Sequence, residues 1–176
     1  TSDVLDLVCD RQFRTARVQA RAGEAWVRGG RTVLDDGAPV LTWLTSSARA
    51  AERRALAEVV DTDSPGALVA LVRRAAATGR ADAGADLSAV RFCAPALGGL
   101  SVRLHVVRAG IETHEGLLTE RWHVDDMDAG TRTTAYVSGD VVLWAVRGGE
   151  DPWEVELADL DSPPSLLARH PRHYSP

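Results

Sequence analysis

The chain of 176 residues contains no lysine, so all 20 of its basic side chains are arginine. That absence excludes lysine-dependent chemistry such as Schiff-base formation. The abundance of Arg, Ala, Gly, Val and Asp points to a GC-rich coding genome rather than to a function. Cysteine is nearly absent too, with two residues, Cys9 and Cys93, far apart and without a CxxC partner. They make no disulfide framework and are expected to be reduced and buried. Cys93 in RFCAP stands in apolar company, which favours a structural role over a Cys-His nucleophile pair.

Other absences narrow the class further. No apolar run reaches the length of a membrane span, and the N-terminal residues lack a signal-peptide pattern, so a cytoplasmic location is expected. The chain begins at Thr1, so its first residues are expected to have been trimmed or omitted. Gly29-Gly30 and Gly98-Gly99 lack the GxGxxG or GxxxxGK[ST] context of a nucleotide loop, and there is no GxSxG elbow. The net charge is −5 and the arginines are spread without a basic block. Neither a nucleic-acid footprint nor a basic membrane-surface helix is therefore expected.

With 45 % hydrophobic and 26 % charged residues, the composition suits a soluble domain with a proper core. The length suits one domain, with 1–89 its mainly helical part and 90–176 its strand-rich part. In the first 45 residues, 11–27 fit helix or strand. Gly29-Gly30 and Asp36-Gly37 are turn signals around a short strand RTVL. Ala51, Ala55, Leu56, Val59 and Val60 recur at helical spacing and predict a helix over 48–60. Ser64 as N-cap and Pro65 at the first helical position predict a second helix over about 65–78, with Leu68, Leu71 and Val72 as its inner stripe. The short connection predicts a helical hairpin. Residues 79–89 look like a loop.

From residue 90 the period changes to two. VRF (90–92), 100–109, 111–124, 131–137, 141–147 and WEVEL (153–157) predict strands, and Ser162 with Pro163-Pro164 predicts a short final helix. The fold class expected is α+β, a helical hairpin packed on a mostly antiparallel sheet or an incomplete β-barrel. A turn at Ala109-Gly110 would set His105 opposite His114 on a polar face, either an exposed pair or part of a metal site.

The segment with the most chemistry is 120–136, ERWHVDDMDAGTRTTAY. His123 and Asp125 are two apart, so on a strand they share a face while Trp122 and Val124 pack behind it. An imidazole and a carboxylate aimed the same way are two thirds of the facial triad of non-haem Fe(II) enzymes. The competing reading is a strand end followed by a polar turn, with Asp126 and Asp128 solvated in that turn. DDMDAG has the wrong spacing for an EF-hand. The five tryptophans, at 26, 43, 122, 144 and 153, are expected to be core and interface anchors rather than a stacking surface.

His123-x-Asp125 and the Gly-Asp-apolar strand GDVVLW (139–144) resemble Fe(II)/2-oxoglutarate-dependent oxygenases of the double-stranded β-helix fold. The longer run 120–144 with HYSP at 173–176 resembles an uncharacterised bacterial family. That family has aromatic-His-x-Asp, an Arg, a Thr-Tyr-x-Gly segment and a terminal His-x-Ser-Pro. In this chain Ala135 interrupts the Thr-Tyr pair. The resemblance implies His123, Asp125 and His173 (or His170) as iron ligands. It also implies that Arg132 and Tyr136 line the pocket, with Arg132 holding a carboxylate of 2-oxoglutarate or of a small-molecule or peptide substrate.

Three functions remain open from the sequence. One is a mononuclear Fe(II) oxygenase built on those residues. Another is a non-catalytic protein-binding module using a sheet and a Trp-bearing surface, with which a homodimer is compatible. The third is a cupin-like metal enzyme using His105, His114 and His123.

Overall fold

The computed structural model describes residues 4–34, 36–46, 53–62, 64–92, 97–114, 116–149, 152–156 and 167–169. Two sheets and one helix make up the described chain. The smaller sheet is an antiparallel meander of β1 (Val4–Cys9), β2 (Thr15–Ala22), β3 (Ala25–Val33), β4 (Pro39–Thr45) and β5 (Arg53–Leu56). After β6 (Val59–Asp61) comes the helix α1 (Pro65–Ala77), then β7 (Ala85–Arg91), β8 (Leu100–His114), β9 (Leu117–Asp126), β10 (Thr131–Ser138), β11 (Val141–Arg147), β12 (Trp153–Glu156) and β13 (Leu167–Arg169). These strands form an eight-stranded sheet in the order β13-β12-β11-β10-β9-β8-β7-β6, curled into a half-barrel. It is antiparallel except where β6 runs parallel to β7. That parallel pair is joined through α1, as a parallel pair needs a long crossover.

The helix forms where Ser64 and Pro65 predict it, and Thr78 closes it by donating its hydroxyl to the Ala75 carbonyl at 2.6 Å. Leu68, Leu71, Val72 and Ala75 are fully buried. They fill the concave face of the half-barrel against Val59, Leu87, Leu104, Val106, Trp122, Ala135, Val137 and Val142. Burying each of the larger aliphatic side chains is worth about 1.5–3 kcal/mol, so the helix is held in place chiefly by this stripe. A second core, of Val18, Val27, Leu41, Trp43 and Phe92, lies under the smaller sheet and reaches Val60 and Val90. Because neighbours alternate across a strand, Val59 and Ala89 serve the first core while Val60 and Val90 serve the second. The short parallel pair β6–β7 is thus the shared wall of both.

The helical hairpin is overturned. Of its expected first helix, 48–52 lie outside the described residues, and the rest falls on β5, the start of β6 and the two residues between them. Ala, Glu and Arg favour helix weakly, and tertiary pairing overrides such preferences. Ala55 sits opposite Leu41 on β4, Thr15 NH bonds the Glu58 carbonyl, and Val60 NH bonds the Thr15 hydroxyl. The fold is therefore mostly β, not a helix pair on one sheet.

Three smaller expectations also fail. Residues 85–89 are strand rather than loop, with Ala85, Leu87 and Ala89 alternating into the core. Gly29-Gly30 is not a turn but the middle of β3, where a Cβ on Gly29 would lie 2.7 Å from the Thr42 carbonyl oxygen. Glycine there lets the backbone cross Trp43 closely. At the C-terminal end, 161–166 lie outside the described residues, and 167–169 are strand rather than helix.

Candidate functional site on the convex face

The half-barrel has two faces, and the residues singled out by sequence divide between them. Trp122, Val124 and Asp126 point into the concave side and are buried, while His123 and Asp125 point outward together. The strand alternation expected for this segment is present.

Across the convex face the register makes rows. One row runs Asp86, His105, Asp125, Arg132 over β7, β8, β9 and β10. The next runs Val107, His123, Thr134, Val146, and a third carries Arg121, Tyr136 and Trp144. In the first row Arg132 holds Asp125 through two parallel hydrogen bonds, Nε to Oδ1 at 2.6 Å and Nη2 to Oδ2 at 2.8 Å. Such a fork is the strong geometry for a carboxylate. It is the first cause of the Asp125 carboxyl lying below its usual range. His105 Nδ1 lies 2.7 Å from Asp86 Oδ1. Its ring lies over Gly84, where an added Cβ would come 2.3 Å from Nε2. His123 Nδ1 lies 3.2 Å from the Thr134 hydroxyl. Burial, then the Arg132 charge, lowers the pKa of His123, and Asp125 only partly offsets them.

The rings of Tyr136 and Trp144 stack at a tilt, with centroids 5.0 Å apart and planes 39° from parallel. Trp144 Nε1 donates to Glu154 at 2.8 Å, so its polar edge is satisfied while the ring stays half-buried on the outer face.

The expected pairing of His105 with His114 does not occur. β8 runs through Ala109-Gly110 with a bulge, and the chain reverses between His114 and Leu117. A two-residue hairpin turn of the favoured types needs positive φ, which Gly116 adopts and Gly110 does not. His105 instead faces Asp125. His114 lies seven residues beyond the Val107 row that contains His123, roughly 20 Å along the strand. One ion between the three histidines is excluded by that distance.

The described residues do not by themselves make the iron centre that the oxygenase resemblance implies. Both oxygens of Asp125 are engaged by Arg132, which is also the side chain expected to bind a cosubstrate carboxylate. His170 and His173 lie outside the described residues. Among the described residues no three His, Cys, Asp or Glu side chains are grouped to hold one ion. Tyr136 is two positions along β10 from Thr134, and its ring packs on Trp144.

The turn after β9 also differs from the solvated loop expected. Asp126 is buried and accepts the backbone NH groups of Asp128 and Ala129 at 2.8 and 2.7 Å. It also pairs with Arg91, which binds Asp61 through Nε at 2.6 Å. Only Asp128 stays at the surface, where it takes the Arg103 guanidinium at 2.6 Å. At the other end of the concave face Glu120 gathers Arg73 of α1 at 2.9 Å and Arg108 of β8 at 3.0 Å. Ion networks thus close both ends of the space that α1 fills. Sequence reasoning missed them because their members lie on separate strands.

Cys9 is a free, half-buried thiol raised above its usual pKa, first by burial and then by the Asp10 charge. Cys93 lies outside the described residues. Among the described residues no helix is long and apolar enough to cross a membrane.

No family model matches this chain, and no curated protein does so either. Among solved structures it is similar to a DUF1089 family protein from Pseudomonas aeruginosa, determined at 1.80 Å resolution. The two share 16 % identity over 81 % of this chain and 88 % of that one, with a TM-score of 0.45.

Proposed function

We propose that the chain is a non-catalytic protein-binding module that works through the convex face of the half-barrel. The observation that carries this reading is the tilted Tyr136–Trp144 pair on an outward sheet face, beside Val107, Val146 and His123. Aromatic pairs with a satisfied polar edge are typical anchors of protein interfaces. The opposite face is filled by α1, whereas among the described residues no helix covers the convex side.

The partner class is a protein chain, a second copy included. The test is association in solution, measured by sizing with light scattering and by cross-linking in extracts of the source cell, for the parent and for Trp144→Arg. Complexes lost in the variant support the reading, and complexes indifferent to it return the aromatic pair to a purely structural role. A parallel arm measures iron after anaerobic Fe(II) loading and desalting, with His123→Ala alongside. One iron per chain, lost in His123→Ala, would overturn the binding-module reading in favour of the oxygenase.

A further inference from the structure

The outer face of the smaller sheet differs in character from every other surface described. Its outward rows are Val4–Arg21–Trp26, Asp6–Gln19–Arg28–Leu44 and Val8–Arg17–Gly30–Thr42–Arg54. Four arginines therefore stand on this face against Asp6 and, at the β2–β3 turn, Glu24, in a chain whose net charge is −5. Rows recur about 7 Å apart along the strands and strands about 5 Å apart across them, so the charges form one patch. Interleaved with them are large apolar side chains, Val4 at 53 % exposure, Val8 at 40 %, Leu44 at 41 % and Trp26 at 39 %. The Arg28 guanidinium lies 5.7 Å from the Trp26 ring centroid.

We propose that this face docks on an anionic phospholipid surface. The charge is complementary to lipid phosphates, and arginine near such a surface strengthens binding by about fivefold per residue. Tryptophan and arginine both place an apolar body inward and a polar end at headgroup level. The exposed valines and leucine supply the shallow apolar contact that charge alone does not explain. A single-stranded nucleic acid fits the arginines but not the rest. It needs a series of aromatic faces for successive bases, and among the described residues this face offers Trp26 alone. The proposal departs from the expectation of no membrane contact. That expectation considered a basic helix, whereas Arg17, Gln19, Arg21 and Trp26, Arg28 repeat at period two.

The experiment is co-sedimentation of the full chain with phosphatidylglycerol vesicles and with phosphatidylcholine vesicles, at low and high salt. Binding to the first and not the second, weakened by salt, is expected. Arg17→Gln/Arg21→Gln/Arg28→Gln should weaken it by about a hundredfold, while the triple Arg→Lys variant should retain most of it. A blue shift of tryptophan emission on binding should disappear in Trp26→Phe. All these side chains are outside both cores, so thermal melts of the variants should match the parent. Trp144→Arg should leave vesicle binding intact, which separates this proposal from the convex-face reading. Equal binding to both vesicles, or no binding, overturns it. Tighter binding of a single-stranded oligonucleotide, or an Arg-dependent dimer in the absence of vesicle binding, overturns it equally.

Discussion

Replacing Arg91 by methionine should be among the most damaging single changes in the half-barrel. The side chain is 12 % exposed and sits between Asp61 at 1 % and Asp126 at 4 %. Met keeps much of the aliphatic volume and removes the cation. At about 4 Å and an effective dielectric of about 20, each ion pair is worth about 4 kcal/mol before desolvation. Removing one partner from a buried pair costs about 3–5 kcal/mol, because the remaining charge is left uncompensated. Here two carboxylates are left together, so the upper half of that range is expected. For a chain of this length that lowers the melting temperature by roughly 8–20 °C.

The assay for Arg91→Met is urea unfolding followed by tryptophan fluorescence at pH 8 and pH 5. The penalty should shrink at pH 5, where a carboxyl raised by its neighbour's charge takes up a proton. Adding Asp61→Asn and Asp126→Asn in the same background should recover part of the loss. The recovery is partial because the amide oxygen introduced by Asp126→Asn must still accept the Asp128 and Ala129 NH groups. A loss below about 1 kcal/mol, or one equal at both pH values, would refute the claim that these charges are buried and interdependent.

Other expectations follow from the same geometry. Gly84→Ala puts a Cβ into the His105 ring at a residue with φ of 89°, so both strain and clash act. A loss of about 1–3 kcal/mol is expected, read as a lower urea midpoint, together with a shifted His105 imidazole NMR signal. An unchanged signal would mean that the ring does not rest on this glycine. The pH dependence has a definite sign. Burial holds the folded pKa of His123 below its unfolded value, so the stability it contributes is present above about pH 6.5 and is lost as pH falls through the folded value. For Asp125, the Arg132 hydrogen bonds lower the folded pKa, so that carboxylate's contribution is present above about pH 4 and is lost on further acidification. The urea midpoint should therefore fall in two stages from neutral pH downward. His123→Gln should flatten the first stage and Asp125→Asn the second; a midpoint that rises between pH 7 and pH 5 would contradict the first, and one that holds constant below about pH 4 would contradict the second.

How much of this was legible in the sequence depended on whether the signal was local. Ser64-Pro65 marks the helix start because capping is a property of adjacent residues, and α1 forms there. The alternation of Trp122 and Val124 against His123 and Asp125 is likewise local, and its two faces were readable. Residues 53–61 misled because their composition favours helix at period 3.6. Yet Ala55, Ala57 and Val59 also alternate with Arg54, Leu56 and Glu58, and the partner strand decides between the two periods. The Arg91–Asp61–Asp126 group was not legible, since three residues from three strands meet only when the register is known. The same reason hid the arginine face, which is a product of β-pairing rather than of a basic run.

The two ion networks bear on where a function can sit. Each joins separate strands on the concave side, Glu120 to α1 and β8 and Arg91 to β6 and β9. A concave face used for ligand binding would be expected to leave apolar walls and a few unsatisfied polar groups converging on a space. Here the walls meet the Leu68–Leu71–Val72 stripe, and the charges at both ends bind one another. Emptying that space would mean expelling α1 from its core and separating Arg73 from Glu120, so ligand entry there would be a partial unfolding step. The outward sheet faces carry no such cost. The half-exposed Tyr136–Trp144 pair on one sheet and the Arg–Trp rows on the other already stand at the surface. Among the described residues, the outward sheet faces are therefore where a partner could be met without displacing α1.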